Sequence, residues 1–502
     1  QPVWKEPLHF STKNSTLSMI KKRLVLAKRL LKPEGVIVVT IDDHELHHLV
    51  CLMDEVFGPD NHLGNVVIRS KPSGRATSKG FSVTHEYAVF YGATEAAYVQ
   101  RIPKTEKQRA RYGDRDQLGF FTWENFRKTG QGCKRKDRPK QFFPLYVCDD
   151  DSIHLAPMRW DSAAKSWEIL SKPDGAEVWP ISRGGEERVW KWSVDRTARC
   201  IADLRAVRRR GTIEINKKTR MTGEYNLPFT IWDEAEMSAS EQGVKDIIAC
   251  FGDKDVFSFP KSKYAVLKCI RSATAEDDAL ILDFFAGSGT TYHATALLNL
   301  EDGGTRRVIL VTNNEVGEHM ATHLRSAGHL SGDPEFEKHG ICESITWPRC
   351  KYVTQGHRDD GTPLPGTYLD GRPMKEGFQE NIEYFRLDFL DPHEVAYGDK
   401  FEAILPILWL MAGANGERET ARGYGKWFIP RNSRYAVLIR EEHFADFKRE
   451  VEGRPDIGLV FLVTDSEEAF REMSAALPGR PHTKMLYKSY LDTFRINTEE
   501  SL

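Results

Sequence analysis

No two of the eight cysteines in this 502-residue chain form a Cys-x-x-Cys pair. That speaks against a zinc ribbon or a disulfide framework and for reduced thiols in a cytoplasmic protein. No apolar run approaches the ~20 residues that a bilayer-spanning helix needs. The longest, Ala403 to Ala412, reaches about half that length, so no membrane association is expected. The opening Gln1-Pro2-Val3-Trp4 is neither basic nor apolar, which speaks against a secretory leader. Charge of one sign is also scarce, with a formal net charge of -2. What is present, 40% hydrophobic and 29% charged residues, is the composition of a large globular protein of roughly three or four domains.

The stretch ILDFFAGSGTTYHATALLNL, residues 281–300, organises the chain. It reads as a strand ending at Asp283, a turn containing Gly287 and Gly289, and a helix opened by Thr290 and Thr291. Glycine at those two places lets the backbone turn sharply and bring its N–H groups close to a ligand. A second strand, Arg307 to Val311, leads to the acidic Glu315, where a doubly wound fold offers a carboxylate to ribose hydroxyls. The turn lacks both a third glycine and the Gly-Lys-Ser/Thr ending of phosphate loops. A ligand with an adenosine but no phosphates is therefore expected.

The wording DFFAGSGTT resembles the S-adenosylmethionine motif of amino-methylating DNA methyltransferases. Upstream, Phe257-Ser258-Phe259-Pro260-Lys261 and the apolar helix Tyr264 to Ile270 are similar to the Phe-x-x-Pro-Lys element that lies against the same cofactor in those enzymes. The resemblance implies cofactor contacts from Phe259, Pro260, Lys261, Asp283, Phe285, Ala286, Gly287, Ser288, Gly289, Thr290, Thr291 and Glu315.

Residues 1–100 read as helix, strand, helix, strand. Ser18 can cap a helix carrying Ile20, Leu24, Ala27 and Leu31 on one face, and Lys32-Pro33-Glu34-Gly35 ends it. Val36 to Ile41 is a continuous β-branched run, as in a strand buried on both faces of a parallel sheet. A second helix ends at Phe57-Gly58, and Val66 to Ile68 and Glu86 to Tyr91 supply strands. RLVLAKRLLKPEGVIVVTIDDHELHHLVCLMDEVFG and FSVTHEYAVFYG, followed by Leu227 to Asp233 and Glu241-Gln242-Gly243, resemble the Mod, or methylating, subunits of type III restriction-modification systems. The likeness covers roughly residues 15–350 apart from a variable middle.

That resemblance implies a Rossmann-like α/β methyltransferase of the β-type permutation. Its catalytic half is expected at residues 1–100, an inserted target-recognition domain at 101–226, the cofactor half at 227–375 and a small C-terminal α/β domain at 376–502. The family's catalytic Asp-Pro-Pro-Tyr occurs nowhere in the 502 residues, and neither does Asn-Pro-Pro-Tyr. Asp391-Pro392-His393 is the nearest spelling and reads as a turn. No catalytic residue is therefore visible. Either the motif lies upstream of residue 1, the expected case because Trp4 and the helix after it already belong to catalytic-half sequence, or catalysis has been lost. Asp42-Asp43 reads as a helix cap, His44, His47 and His48 as an exposed polar face, and His85-Glu86 as structural.

Charge is placed unevenly. Arg101 to Lys140 holds 13 Lys/Arg against 5 Asp/Glu, and Arg196 to Arg220 holds 9 against 2. Phe120, Phe121, Trp123, Phe126, Trp190 and Trp192 are interleaved with them, a pattern that fits phosphate contact with base stacking. Strands are expected at Ala176 to Ile181 and Arg188 to Val194. The candidate DNA-binding residues are Arg135, Lys136, Arg138, Arg208, Arg209, Arg210, Lys217 and Lys218. The C-terminal part is acidic, 23 Asp/Glu against 16 Lys/Arg from Glu376 onward, which suits a protein interface. Strands are expected there at Tyr435 to Ile439 and Leu459 to Val463, a helix at Ser466 to Ala476 and a closing element at Met485 to Leu491.

Together these readings predict a sequence-specific adenine-N6 DNA methyltransferase using S-adenosylmethionine on double-stranded DNA. The family implies a homodimer and a helicase or nuclease subunit of a defence system. Cytosine-N4 methylation and a non-catalytic recognition subunit are the alternatives.

Overall fold

A computed structural model describes residues 10–76, 79–209, 211–387, 401–419, 425–479 and 481–486. Arg210, Asp391 to His393 and the far end of the expected closing element lie outside them. The chain divides into two compact units, Gln1–Ile382 and Glu383–Leu502.

The first unit begins with a helix over Phe10–Leu30, eight residues ahead of the start expected at Ser18. The expected face is the one that packs: Ile20, Leu24 and Ala27 are buried with Ile37, Ile41, Leu49, Met53 and Phe57. Strand Val36–Ile41 departs from expectation. It pairs antiparallel with Glu86–Gly92, and the four-stranded sheet runs Val36–Ile41, Glu86–Gly92, His62–Ile68, Ile231–Trp232. Among the described residues the β-branched run therefore forms a sheet edge, and within it only Ile37 and Ile41 are buried. Strand propensity was legible from the run, whereas partner and position depend on distant chain. Ile231–Trp232 joins parallel to His62–Ile68, which brings residues on either side of the variable middle into one sheet.

That middle leaves and returns through one short ribbon, with Ile102–Pro103 paired to Tyr225–Asn226. It is β-rich: Leu204–Arg209, Thr212–Arg220, Gly119–Asn125 and Asp114–Asp116 form one sheet, and Ala176–Val178, Leu145–Val147 and Ile153–His154 another. The strand expected at Arg188 to Val194 does not form. Bridges reach Arg188 and Trp190 singly, and Val194 opens a helix over Val194–Arg199. Three of the aromatics expected to stack on bases, Phe126, Trp190 and Trp192, are instead buried in the core of this region with Phe143, Leu145 and Leu204. Large rings bury more apolar area than they can usefully leave in water, so interleaving with basic residues alone did not distinguish core from surface.

Downstream, helix Lys263–Ala273 and helix Thr290–Asp302 pack together. Leu267, Ile270, Ala294, Leu297 and Leu298 are buried in one core with Val66, Ile68, Ala88 and Phe90 of the four-stranded sheet. Strands Leu280–Asp283 and Arg307–Leu310 pair in parallel on either side of helix Thr290–Asp302 in sequence. Ile281, Val308 and Leu310 pack against that same core, as do Val36 and Val38. The other face of the parallel pair, with Leu280, Leu282 and Ile309, is exposed.

In the second unit, strands Trp427–Phe428, Tyr435–Leu438, Leu459–Leu462 and His482–Met485 form one sheet in chain order. Helix Glu467–Ala476 is capped by Ser466, whose side chain accepts from the Ala469 N–H. Helix Phe401–Met411 packs its Ile404, Leu405 and Leu408 on one face of that sheet. Among the described residues no helix is long and apolar enough to cross a membrane.

Leu297 is 1% exposed and Leu300, on the same helix, 48%. Truncating a fully buried leucine forfeits its transfer energy and leaves a cavity, so Leu297→Ala should cost about 3 kcal/mol while Leu300→Ala stays within about 0.5 kcal/mol. Urea unfolding of the two variants checks this; equal losses would place the core elsewhere.

Candidate functional site

The site is built around the turn between Asp283 and helix Thr290–Asp302. Gly287 and Gly289 both hold left-handed backbone, at φ 52° and 75°, where a side chain is strained. Their second reason differs from the one expected from sequence. A Cβ on Gly289 would lie 2.9 Å from the Cys350 sulfur, and one on Gly287 would lie 3.5 Å from the Phe257 ring. Gly289 thus makes room for the protein's own helix Trp347–Gln355, which runs behind the turn.

Asp283 fixes the turn from the strand side. Its carboxylate accepts from the Phe285 backbone N–H at 3.0 Å and from the Thr291 hydroxyl at 2.6 Å. The Ala286 N–H reaches across to the Val311 carbonyl, which ties the turn to the end of the second strand. Helix Thr290–Asp302 begins on left-handed Gly289 with no side-chain cap, and so presents uncapped N–H groups at its start. Phe285 is half exposed beside the turn. Glu315 is exposed, and its backbone carbonyl accepts from the Ile341 N–H.

The Phe257 to Lys261 segment comes to the same place through Phe257. Phe259 is half exposed in left-handed backbone at φ 63°, unusual for an aromatic residue. The Pro260 carbonyl lies so close to Gly243 that a Cβ there would be 2.4 Å away. Lys261 forms an ion pair with Glu86, which is buried on the Glu86–Gly92 strand. This links the segment directly to the four-stranded sheet.

Of the other proposed cofactor residues, Ala286 is buried in the turn, and Ser288 and Thr290 are buried and turned inward. They face Arg349, a fully buried residue that sequence reading did not single out. Its guanidinium donates to the Ser288 hydroxyl at 2.8 Å and to the Thr290 hydroxyl at 3.0 Å, and lies 3.5 Å from Asp246. Asp246 in turn pairs with buried Lys263 at 2.7 Å. The available signal was a charge inside an apolar helix, Asp246 in VKDIIACF and Lys263 opening KYAVLKCI.

The acidic and histidine residues of the first hundred positions fall out as follows. Asp42 accepts from the His44 N–H at 3.1 Å, whereas the helix over Leu46–Phe57 has Glu45 at its cap position with no side-chain cap bond. The carboxylate pair therefore shapes the turn ahead of the helix and does not cap it. Asp43 lies 3.6 Å from His85, and His85 is 3.0 Å from the Tyr87 hydroxyl. His48 pairs with Glu45 at 2.8 Å, and the His47 and His48 rings lie 3.9 Å apart.

In the β-rich region, Lys136, Arg138 and Arg209 are exposed. Arg135 pairs with Glu187 at 3.0 Å, and Arg208 with Asp151 at 2.8 Å. Lys218 pairs with Asp116 at 2.9 Å, and Lys217 is largely covered beside Glu124, where burial lowers its pKa. The loop around Lys134, Lys136 and Arg138 also carries two left-handed glycines, Gly130 and Gly132.

The DNA methylase family of N6/N4 enzymes matches residues 5–305. The chain belongs to that family. Similar proteins include the type II methyltransferase M.KpnI of Klebsiella pneumoniae, 32% identical over 353 residues, 70% of this chain and 76% of that protein. The Mod subunit of the type III restriction-modification enzyme EcoPI, from Escherichia phage P1, is 32% identical over 62% of this chain. The StyLTI Mod subunit of Salmonella typhimurium is 30% identical over 60% of it. These matches cover 48% and 41% of the two Mod subunits, so the methylase shares less than half of their length. By family the methylase is a site-specific DNA methyltransferase.

His293, on the helix that follows the turn, is wholly buried 3.0 Å from the Tyr368 hydroxyl. Burial, helped by Lys263, Arg349 and Arg372, holds it well below the ordinary histidine pKa, so it is neutral in the folded protein. The unfolded chain binds a proton that the folded chain refuses once the pH falls below about 6.5. Its contribution to stability is therefore complete above that pH and is lost below it, at up to about 1.4 kcal/mol per pH unit. Urea midpoints for wild type and His293→Gln at pH 7.5 and 5.5 test this; a variant as pH-sensitive as wild type would assign the dependence to other groups.

Proposed function

We propose that this protein transfers a methyl group from S-adenosylmethionine to the N6 amine of an adenine flipped out of double-stranded DNA, in a type III-like modification system. The observation that carries the reading is the turn held by Asp283 between two parallel strands, in a chain of the N6/N4 DNA methylase family. That pair with its connecting helix is read as the first unit of a Rossmann-like domain. The residues present fit the donor. Left-handed Gly287 and Gly289, an uncapped helix start and the half-exposed Phe285 and Phe259 form a cradle for an adenosine-bearing ligand without phosphates. When bound, S-adenosylmethionine supplies an activated methyl on sulfur. The chain's part is to hold the donor at Asp283 to Thr291, with Phe259 to Lys261 and Glu315 around it, and to hold the DNA through the β-rich region.

The order of parts supports a layout of catalytic half at 1–100, target recognition at 101–226, cofactor half at 227–375 and a C-terminal α/β domain at 376–502. Homodimerisation and a partner helicase or nuclease, in the cytoplasm, follow the Mod-like reading. Cytosine-N4 is the neighbouring target. Among the described residues, strands Val36–Ile41 and Leu280–Asp283 each end a sheet while packing on one core, and Leu280 and Leu282 are exposed. A strand bearing Asp-Pro-Pro-Tyr, from this polypeptide or another, fits an edge of that kind. The absence of that motif from the 502 residues favours one second reading, a recognition subunit that binds donor and DNA without methylating.

Labelled methyl transfer to DNA by the purified full-length protein, with nucleoside analysis, separates these. N6-methyladenine establishes the enzyme, N4-methylcytosine moves the target, and binding of both ligands without transfer selects the recognition subunit. Asp283→Ala removes the acceptor of both the Phe285 N–H and the Thr291 hydroxyl, so donor affinity should fall beyond detection while DNA affinity holds; retained donor binding would refute the pocket.

Lys134, Lys136 and Arg138 are exposed and have no ion-pair partner among the described residues. Replacing all three with alanine should weaken DNA binding and lower the slope of log affinity against log salt by about 2 to 3. An unchanged slope would return the loop to a merely solvated surface.

A further inference from the structure

Four charged or titratable side chains lie together beneath the glycine turn, each almost inaccessible to water: Asp246 at 2%, Lys263 at 3%, and Arg349 and His293 at 0% exposure. Isolated ions at such depth cost several kcal/mol each, and a buried pair is weak evidence for stability because apolar replacements of equal volume are often no worse. The group's placement points elsewhere. Arg349 donates to the Ser288 carbonyl at 3.3 Å, the Ser288 hydroxyl at 2.8 Å and the Thr290 hydroxyl at 3.0 Å, and those two hydroxyls are 3.2 Å apart. One turn earlier, Thr346 donates to the Gly287 carbonyl at 2.6 Å. The segment from Thr346 to Cys350 therefore touches Gly287, Ser288, Gly289 and Thr290 in succession from behind.

We propose that Arg349 is a positioning residue for the donor: through Ser288 and Thr290 it holds the glycine turn in its ligand-ready shape before the ligand arrives. Asp246 orients Arg349 from the far side, at 3.5 Å, and also accepts from Lys263 at 2.7 Å. Two left-handed glycines flanking Ser288 give a turn with many accessible shapes, and ordering it only on binding would weaken affinity by the entropy lost. The guanidinium sets Nη1 on the Ser288 and Thr290 oxygens and Nη2 beside Asp246, so one planar group spans the turn and its anchor, which the single nitrogen of a lysine ammonium does not reproduce. The inference rests on the assignment of this turn to S-adenosylmethionine.

The test is calorimetric binding of S-adenosylhomocysteine to the full chain, with the unliganded melting temperature measured in parallel. Arg349→Lys keeps a cation for Asp246 and loses the fork. Its dissociation constant should rise about 10- to 100-fold, the scale of one or two charge-assisted hydrogen bonds. Its melting temperature should change little, and DNA affinity should be retained. Ser288→Ala should weaken binding as well, and the double variant should be no weaker than Arg349→Lys alone, because the two changes act through one contact. A melting temperature that falls while affinity stays at the wild-type value overturns the proposal and leaves Arg349 a packing residue. Additive losses in the double variant also overturn it, since Arg349 would then act by another route. Should Arg349→Lys fail to fold, Thr346→Val tests the same clamp from Gly287, with weakened binding expected and unaltered binding against it. Wild-type protein that binds no S-adenosylhomocysteine removes the pocket assignment itself, and this proposal with it.

Discussion

The charge cluster of Asp246, Lys263 and Arg349 is the constraint on which the helices behind the glycine turn depend. Asp246 is the shared counter-charge of two buried cations, so removing it would leave Lys263 and Arg349 uncompensated in the core, a loss on the scale of about 3 to 5 kcal/mol. The three residues come from three separate helices, Val244–Phe251, Lys263–Ala273 and Trp347–Gln355. Satisfying them therefore fixes the mutual placement of those helices. The glycine turn is laid over the result, with Gly289 against Cys350 and its hydroxyls on Arg349. Apolar packing by Leu267, Ile270 and Leu297 supplies bulk cohesion but tolerates small slides. Directional bonds to a buried guanidinium do not.

A second linkage ties the halves separated by the β-rich region. Lys261 pairs with Glu86, and Ile231–Trp232 pairs with His62–Ile68. Trp232 is 1% exposed, with Lys268 of helix Lys263–Ala273 lying 4.7 Å over its ring. The long excursion between Ile102 and Asn226 can therefore vary without disturbing the sheet, because its two ends meet in one ribbon. That arrangement suits the target-recognition role proposed for the region.

Local elements and the site's backbone were legible because they rest on nearby residues. The strand before Asp283, the two glycines and the helix after them are a contiguous pattern, and so are Leu46–Phe57 and Glu467–Ala476. What was illegible depends on partners far away in sequence. Val36–Ile41 has the composition of a central parallel strand, yet it pairs antiparallel and, among the described residues, occupies an edge. Phe126, Trp190 and Trp192 look like a stacking surface between basic residues and are one region's core. Arg349 sits in ICESITWPRCKYVTQG, where no neighbour signals that its side chain crosses to Ser288, 61 residues upstream. Lys217 and Lys218 counted toward a basic run, yet Glu124, Asp116 and Asp203 stand beside them once the strands pair.

The same distinction bears on the face that remains open. Leu280, Leu282 and Ile309 alternate toward water on a parallel pair whose other face is packed by Ile281, Val308 and Leu310. Parallel strands are ordinarily covered on both faces, because their crossover connections place helices there. Nearby, Phe284 packs with Ile41 and Tyr87, and Arg23 lies 5.9 Å from the Phe285 ring, so helix Phe10–Leu30 approaches the turn without covering the sheet beside it. Leu26 and Leu30 of that helix are exposed as well. Among the described residues the Leu280–Asp283 edge is unpaired, and one further strand with its own covering element would satisfy that edge and the apolar side chains of the open face together. Such a strand would end beside Asp283, at the turn where the donor is proposed to bind. A group carried at its carboxyl end would then stand within reach of a base brought to that turn, which is the arrangement that methyl transfer to an exocyclic amine requires.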